Sequence, residues 1–275
     1  MPPLSEEVQQ HYSRRDLGDL ILDALQRAGK DLDGLSPEDL APIDEFHIRG
    51  RAATVELAQA AGIDPDQQVL DVGCGIGGTS RSLAGEFGCR VVGIDLTEEY
   101  CRVAQMLTER VGLSDLVEFH QGDATRLPFA EESFDITWSE HAAMNIPDKR
   151  RLYEEMYRVL KPGGTVAIYD ILAGPTQPVI FPVPWARTPD TSFLVTPEEL
   201  RKLLQGVGFR IASWTDNTNT ARDWFLAMAE KIKKEGLPPL GFHLLLGPDF
   251  ATMAQNQGRN LQEGRIVLAQ VVGRK

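Results

Sequence analysis

Cysteine, aromatic side chains and positive charge are all scarce in this chain. Its three cysteines, Cys74, Cys89 and Cys101, show no C-x-x-C spacing and no histidine-rich surroundings. That argues against a metal site or a disulfide framework. It leaves Cys74, inside a glycine-rich stretch, to packing. No apolar run approaches the length of a membrane span, and "MPPLSEEVQQHYSRRD" at the N-terminus has no apolar core of a secretory signal. The expectation is a soluble, cytoplasmic protein. Lys and Arg number 28 against 40 Asp and Glu, a formal net charge of −12. Such a surface repels phosphate backbones, so nucleic acid is disfavoured and a small-molecule partner is expected.

Against these absences, 42% of the 275 residues are apolar, enough for the core of one large α/β domain. Short β-branched runs alternate with amphipathic segments. The runs are "QVLDV" (68–72), "RVVGI" (90–94), "LVEFH" (116–120), "FDITW" (134–138), "TVAIYD" (165–170), "RIASWTD" (210–216) and "RIVLAQVVG" (265–273). Helical segments between strands of this kind indicate βαβ units and a parallel sheet covered on both faces. The stretch 17–29 reads as a helix, 36–50 as a proline-broken connector, and 196–209 as a helix capped by threonine and proline. About 217–264 reads as two helices inserted before the last strand. The division expected is an N-terminal helical lid over 1–50 and a catalytic domain over 51–275, the insertion adding to the lid.

"LDVGCGIGGTS" (70–80) holds G-x-G-x-x-G at Gly73, Gly75 and Gly78. It follows a strand and opens a helix, the context a nucleotide-binding turn requires. Gly73 and Gly75 let the backbone bend and approach a ligand. Asp95 closes the second strand, where a carboxylate accepts from both ribose hydroxyls. To this point a nicotinamide dinucleotide and S-adenosylmethionine (SAM) fit equally. Three features favour SAM. Asp71, at the end of the first strand, is awkward beside a pyrophosphate and useful near an ammonium group. Asp123 in "GDATRLPF" suits an adenine amino group. "FDITWSEHAAMN" followed by "RLYEEMYRVLKPGG" puts a polar loop after the fourth strand.

"VLDVGCGIGGTSRSLA", "VVGIDL", "GDATRLPF", "FDITWSEHA" and "MYRVLKPGG" together resemble the successive motifs of class I SAM-dependent methyltransferases. Within that class they look most like the sarcosine/dimethylglycine N-methyltransferase group, with the ubiquinone/menaquinone C-methyltransferases also near. The resemblance is dense over roughly 66–172. It implies a Rossmann-like seven-stranded sheet with helices on both faces and the last strand antiparallel. It implies Gly73 and Gly75 around the methionine end of SAM, Asp95 at the ribose with Leu96 beside the adenine, and Asp123 and Ala124 at the adenine. The loop from Ser139 to His141 would lie near the sulfonium and the acceptor.

The reaction expected is methyl transfer to N, O or C of a small molecule. His141, at the end of the fourth strand, is either a general base or a residue that shapes the loop. Glu140 holds a cationic acceptor, touches SAM, or is structural. Trp185 in "FPVPWARTP" and Tyr12 are candidates to line the acceptor pocket. His47, Arg49 and Arg51 either meet a carboxylate or form surface salt bridges. His120 reads as a core polar group, and Met253 and Asn256 as weaker pocket candidates. The alternatives are an NAD(P)-dependent oxidoreductase and a non-catalytic SAM-binding protein.

Overall fold

In the computed structural model, residues 7–9, 11 and 16–275 are described. Seven strands form one sheet in the order β3-β2-β1-β4-β5-β7-β6. They are β1 Gln68–Val72, β2 Arg90–Asp95, β3 Val117–Gln121, β4 Phe134–Glu140, β5 Leu160–Ala173, β6 Arg210–Asp216 and β7 Ile266–Arg274. The first five pair in parallel. β7 enters between β5 and β6, antiparallel to both. The expected sheet and its antiparallel last strand are therefore present.

Alternation along β1 divides the core. Val69 faces one cluster with α3 (Arg51–Ala61) and α4 (Gly78–Phe87). Leu70 and Val72 face a second cluster with α6 (Lys149–Val159) and α7 (Pro197–Val207). Burial on both faces explains why these strands read as continuous apolar runs. The order reverses between β1 and β4, and in such sheets the crevice at the strand carboxyl ends is the ligand edge. The glycine turn and the loop after β4 both lie there.

Ahead of α3 run α1 Leu17–Arg27 and α2 Pro37–Asp44. The stretch 36–50 is thus more than a connector. Ser36 and Asp39 form a reciprocal capping box, and Pro37 occupies the first turn, where its missing N–H costs nothing. Leu17, Ile21, Leu25, Leu40 and Ile43 pack with Tyr100, Val103 and Leu107 of α5 (Glu98–Arg110) in a third core cluster. The insertion before β7 holds three helices rather than two: α8 Thr218–Glu235, the short α9 His243–Leu246, and α10 Phe250–Gln262. Among the described residues, no helix is long and apolar enough to cross a membrane.

Candidate functional site

The glycine turn uses the backbone freedom of glycine at three of its positions, Gly77 with φ of 82° among them. Gly73 and Gly75 have φ of 80° and 55°, in the left-handed region. A Cβ at Gly73 would overlap the Ala142 methyl, so this glycine lets the loop after β4 pass close. Gly75 faces open space instead. The N–H groups of Gly73 and Cys74 both donate to the Ile94 carbonyl at 2.8 and 3.1 Å, tying the turn to β2. Gly78 works differently: a Cβ there would collide with the Asp44 backbone, so α2 sits directly on the start of α4.

The turn opens onto a cavity of about 1480 Å³, with Gly73, Gly75, Asp95, Leu96, Asp123 and Ala124 all on its wall. Asp95 Oδ2 accepts from the Gly75 N–H at 3.0 Å and Oδ1 from the Thr97 N–H at 2.8 Å. The Thr97 hydroxyl and the Leu96 N–H also bond this carboxylate, which lies on the cavity wall. Burial pushes the Asp95 carboxyl above the usual range, and these donors oppose that. Asp123 Oδ1 accepts from the Thr125 N–H and hydroxyl at 2.8 and 2.7 Å, which shapes the turn carrying Ala124.

At the end of β4 the three neighbours separate. Ser139 is buried in the strand and absent from the cavity wall. Glu140 is on the wall, and its Oε2 accepts from the hydroxyls of Thr54 and Thr79, each at 3.0 Å. Thr54 Oγ1 also lies 3.1 Å from Glu45 Oε2 and 3.1 Å from His47 Nε2. One hydroxyl proton cannot fully satisfy two carboxylates, so the cluster favours a further proton on one of them. Burial supports this, raising Glu140 to about 7 and Glu45 above its ordinary value.

His141 also lines the cavity, but both of its ring nitrogens are engaged. Nδ1 lies 3.2 Å from the Tyr169 carbonyl, and Nε2 accepts from the Ile48 N–H at 3.4 Å. Burial, with His47 nearby, lowers its pKa to about 3. Its backbone is left-handed, with φ of 48°. A neutral ring bonded at both ends to backbone suits loop shaping better than proton abstraction. His141 is expected to stay neutral between pH 5 and 8, where an unperturbed histidine titrates. Nitrogen-15 NMR of the ring checks this; a midpoint near the free value would return it to the role of base.

The turn after His141 is pinned from beneath. Lys149 Nζ, buried, donates to the carbonyls of Ala143 and Ile146 at 2.6 and 2.9 Å. This holds Met144 and Ile146 on the cavity wall. Trp185 is buried on the same wall, its Nε1 donating to Ser192 Oγ at 2.9 Å. The far wall comes from α8 and α10, with Trp224, Phe225 and Phe250 among its residues.

Several candidates sit elsewhere. Asp71 is buried behind the wall, accepting from Ser80 Oγ at 2.6 Å. Burial raises it to about 7, which weakens any attraction for an ammonium group. Arg49, its side chain largely buried, pairs with the exposed Glu56, and Arg51 pairs with Glu86 at the surface. His120 is exposed beside Glu118 because β3 is an edge strand, so it is no core group. Met253 is buried away from the cavity, and Asn256 donates to the Pro182 carbonyl. Tyr12 lies outside the described residues. Sequence reasoning missed the Glu45–Thr54–Thr79 partners of Glu140, which come from three separate segments. It assigned the insertion to the lid but named none of the α8 residues on the wall, although "DWFLAM" sets Trp224, Phe225 and Leu226 side by side.

A glycine turn closed by an acid on β2, at the ligand edge of a seven-stranded sheet with β7 antiparallel, resembles the Rossmann-like domain of class I SAM-dependent methyltransferases. Residues 70–168 match the family model described as a methyltransferase domain. The chain is 40% identical over 116 residues to sterol 24-C-methyltransferase ERG6B of Gibberella zeae, covering 42% of this chain and 30% of that protein. It thus spans under a third of that relative's length. Among solved structures it resembles the [4+2]-cyclase SpnF, with a TM-score of 0.70, 25% identity, and coverage of 99% of this chain and 97% of that one. It also resembles phosphoethanolamine N-methyltransferase 2 of Haemonchus contortus in complex with SAM. There the TM-score is 0.75 at 20% identity, over 98% of this chain and 60% of that one.

Proposed function

We propose that the protein binds SAM in this cavity and transfers its methyl group to N, O or C of a small-molecule acceptor. The observation that carries the reading is the continuity of the Asp95-braced glycine turn with a cavity of about 1480 Å³. One ligand site usually occupies about 300–1,000 Å³, so there is room for a second molecule beside the cofactor. Asp95 accepts from the ribose hydroxyls, Leu96 packs beside the adenine, and Asp123 and Ala124 hold its edge. Gly73 and Gly75 clear space for the methionine end. SAM, when bound, supplies an activated methyl for in-line displacement.

The chain's own part is alignment and exclusion of water. Glu140 and His141 form the polar floor between the two halves of the cavity. Residues of α2, α8, α9 and α10 form its cover. A cytoplasmic setting fits the three buried, free cysteines, which a reducing compartment preserves.

Calorimetry with SAM, its demethylated product and NADH tests the reading. Asp95→Ala is expected to weaken the first two by about 1–3 kcal/mol, the scale of a hydrogen bond to a charged group. Unchanged affinity in a folded variant removes Asp95 from the site. NADH binding without SAM binding restores the oxidoreductase alternative. The likeness to a [4+2]-cyclase along nearly the whole chain favours a second reading, in which the cavity confines a substrate for cyclisation. Transfer of isotope from labelled SAM to an acceptor separates the two.

A further inference from the structure

The acceptor half of the cavity has a chemical character of its own. On its wall from α8 and α10 the buried and half-buried side chains are mostly apolar, Trp224, Phe225, Met228 and Ile232 among them, and at its rim Leu226 of α8 and Leu237 just beyond it are 52% and 51% exposed. Lys231, Lys233 and Arg259 are the lysines and arginine on the wall among the described residues, and all three are exposed. Arg259 is paired with Glu263. A buried phosphate or carboxylate would therefore lack a cation and bear the full cost of desolvation.

Among the described polar residues of α8 and α10 on the wall, Gln257 is the buried one. Gln257 on α10 is 7% exposed, lines the cavity, and makes no hydrogen bond to any described residue. Its neighbours are engaged: Asn256 donates to Pro182, and Asn260 both donates to and accepts from Ile180. The Gln257 amide opens on the cavity instead of being sealed in the core, so a polar group that enters the cavity can pair with it.

Resting on the methyltransferase reading, we propose that the acceptor is a bulky, uncharged, largely apolar molecule with a hydroxyl or carbonyl group held by the Gln257 amide. The amide both donates and accepts, so it serves either group. The apolar remainder lies against Trp224, Phe225 and Phe250, entering past Leu226 and Leu237.

The test measures binding of matched probes to the full chain preloaded with the demethylated cofactor. Farnesol is set against farnesyl diphosphate, and progesterone against phosphoethanolamine. Farnesol or progesterone is expected to bind more tightly than its charged counterpart. Gln257→Leu should weaken the neutral probe roughly 3–10-fold, as for one neutral hydrogen bond, with cofactor affinity unchanged. Gln257→Asn, which shortens the reach, should act in the same direction and serves if the leucine variant does not fold. Tighter binding of the charged probes, or unchanged neutral affinity in the variants, overturns the proposal. So does cofactor binding with no neutral probe bound. Failure to bind the cofactor at all overturns the underlying methyltransferase reading instead.

Discussion

Asp44→Ala is expected to destabilise the protein by about 3–5 kcal/mol, the scale for removing one partner of a buried ion pair. Asp44 and Arg81 are both buried, with Arg81 Nε donating to Asp44 Oδ2 at 3.2 Å and Nη2 to Oδ1. Arg81 also donates to the Ala104 carbonyl at 3.2 Å and Thr108 Oγ1 at 3.1 Å. One guanidinium thus joins α2, α4 and α5. Without Asp44 the charge stays buried with only neutral partners. The melting temperature should fall by about 6–20 °C, from roughly 2–4 °C per kcal/mol for larger domains. The double variant Asp44→Ala/Arg81→Met should lose less than the sum of the two single changes, since it buries no lone charge. Scanning calorimetry decides; a shift within 2 °C for Asp44→Ala would mean that the pair contributes nothing.

This contact also explains what the third glycine of the turn is for. The G-x-G-x-x-G spacing was plain in the sequence, but not that Gly78 clears the Asp44 backbone. The N-terminal helices are anchored on the turn itself and share a core with α5. Hydrophobic periodicity exposed α1, because Leu17, Ile21 and Leu25 recur at helical spacing. It hid α2, where two prolines suggested a break although Pro37 merely starts the helix. The inner strands β1, β2, β4, β5 and β7 were legible because they are buried on both faces, giving apolar runs with sharp ends, whereas the edge strands β3 and β6 are largely exposed. The cofactor half of the site was legible because its residues follow strand ends in fixed order: Asp95 after β2, Asp123 after β3. The acceptor half was not. Thr54, Thr79, Trp224 and Gln257 come from helices far apart in sequence, and nothing local marks a glutamine whose partner is missing.

The remaining large effect is a loss of stability as pH rises through the mildly acidic range. Asp71, Glu140 and Asp170 are buried, and burial lifts each carboxyl to about 7, from 3.8, 4.5 and 3.8. Below about pH 4 these groups are protonated in both folded and unfolded chains, and their contribution is fully present. Between there and pH 7 the unfolded chain releases its protons while the folded chain retains them. Stability therefore falls by about 1.4 kcal/mol per pH unit per group, levelling above the folded pKa.

Asp71 isolates the effect, because its hydrogen-bond partner is the Ser80 hydroxyl and not a cation. Asp71→Asn keeps an acceptor for Ser80 and removes the charge. Unfolding by urea without ligand should show the variant more stable than the parent by about 2–4 kcal/mol at pH 8, an order-of-magnitude figure from the same linkage. At pH 4 the two should differ little. The comparison cancels the many surface carboxylates, such as Asp39 beside Lys30, whose lowered pKa works in the opposite direction. Parallel stability curves for parent and variant from pH 4 to 8 would show that Asp71 is ionised in the folded protein, held by something other than Ser80.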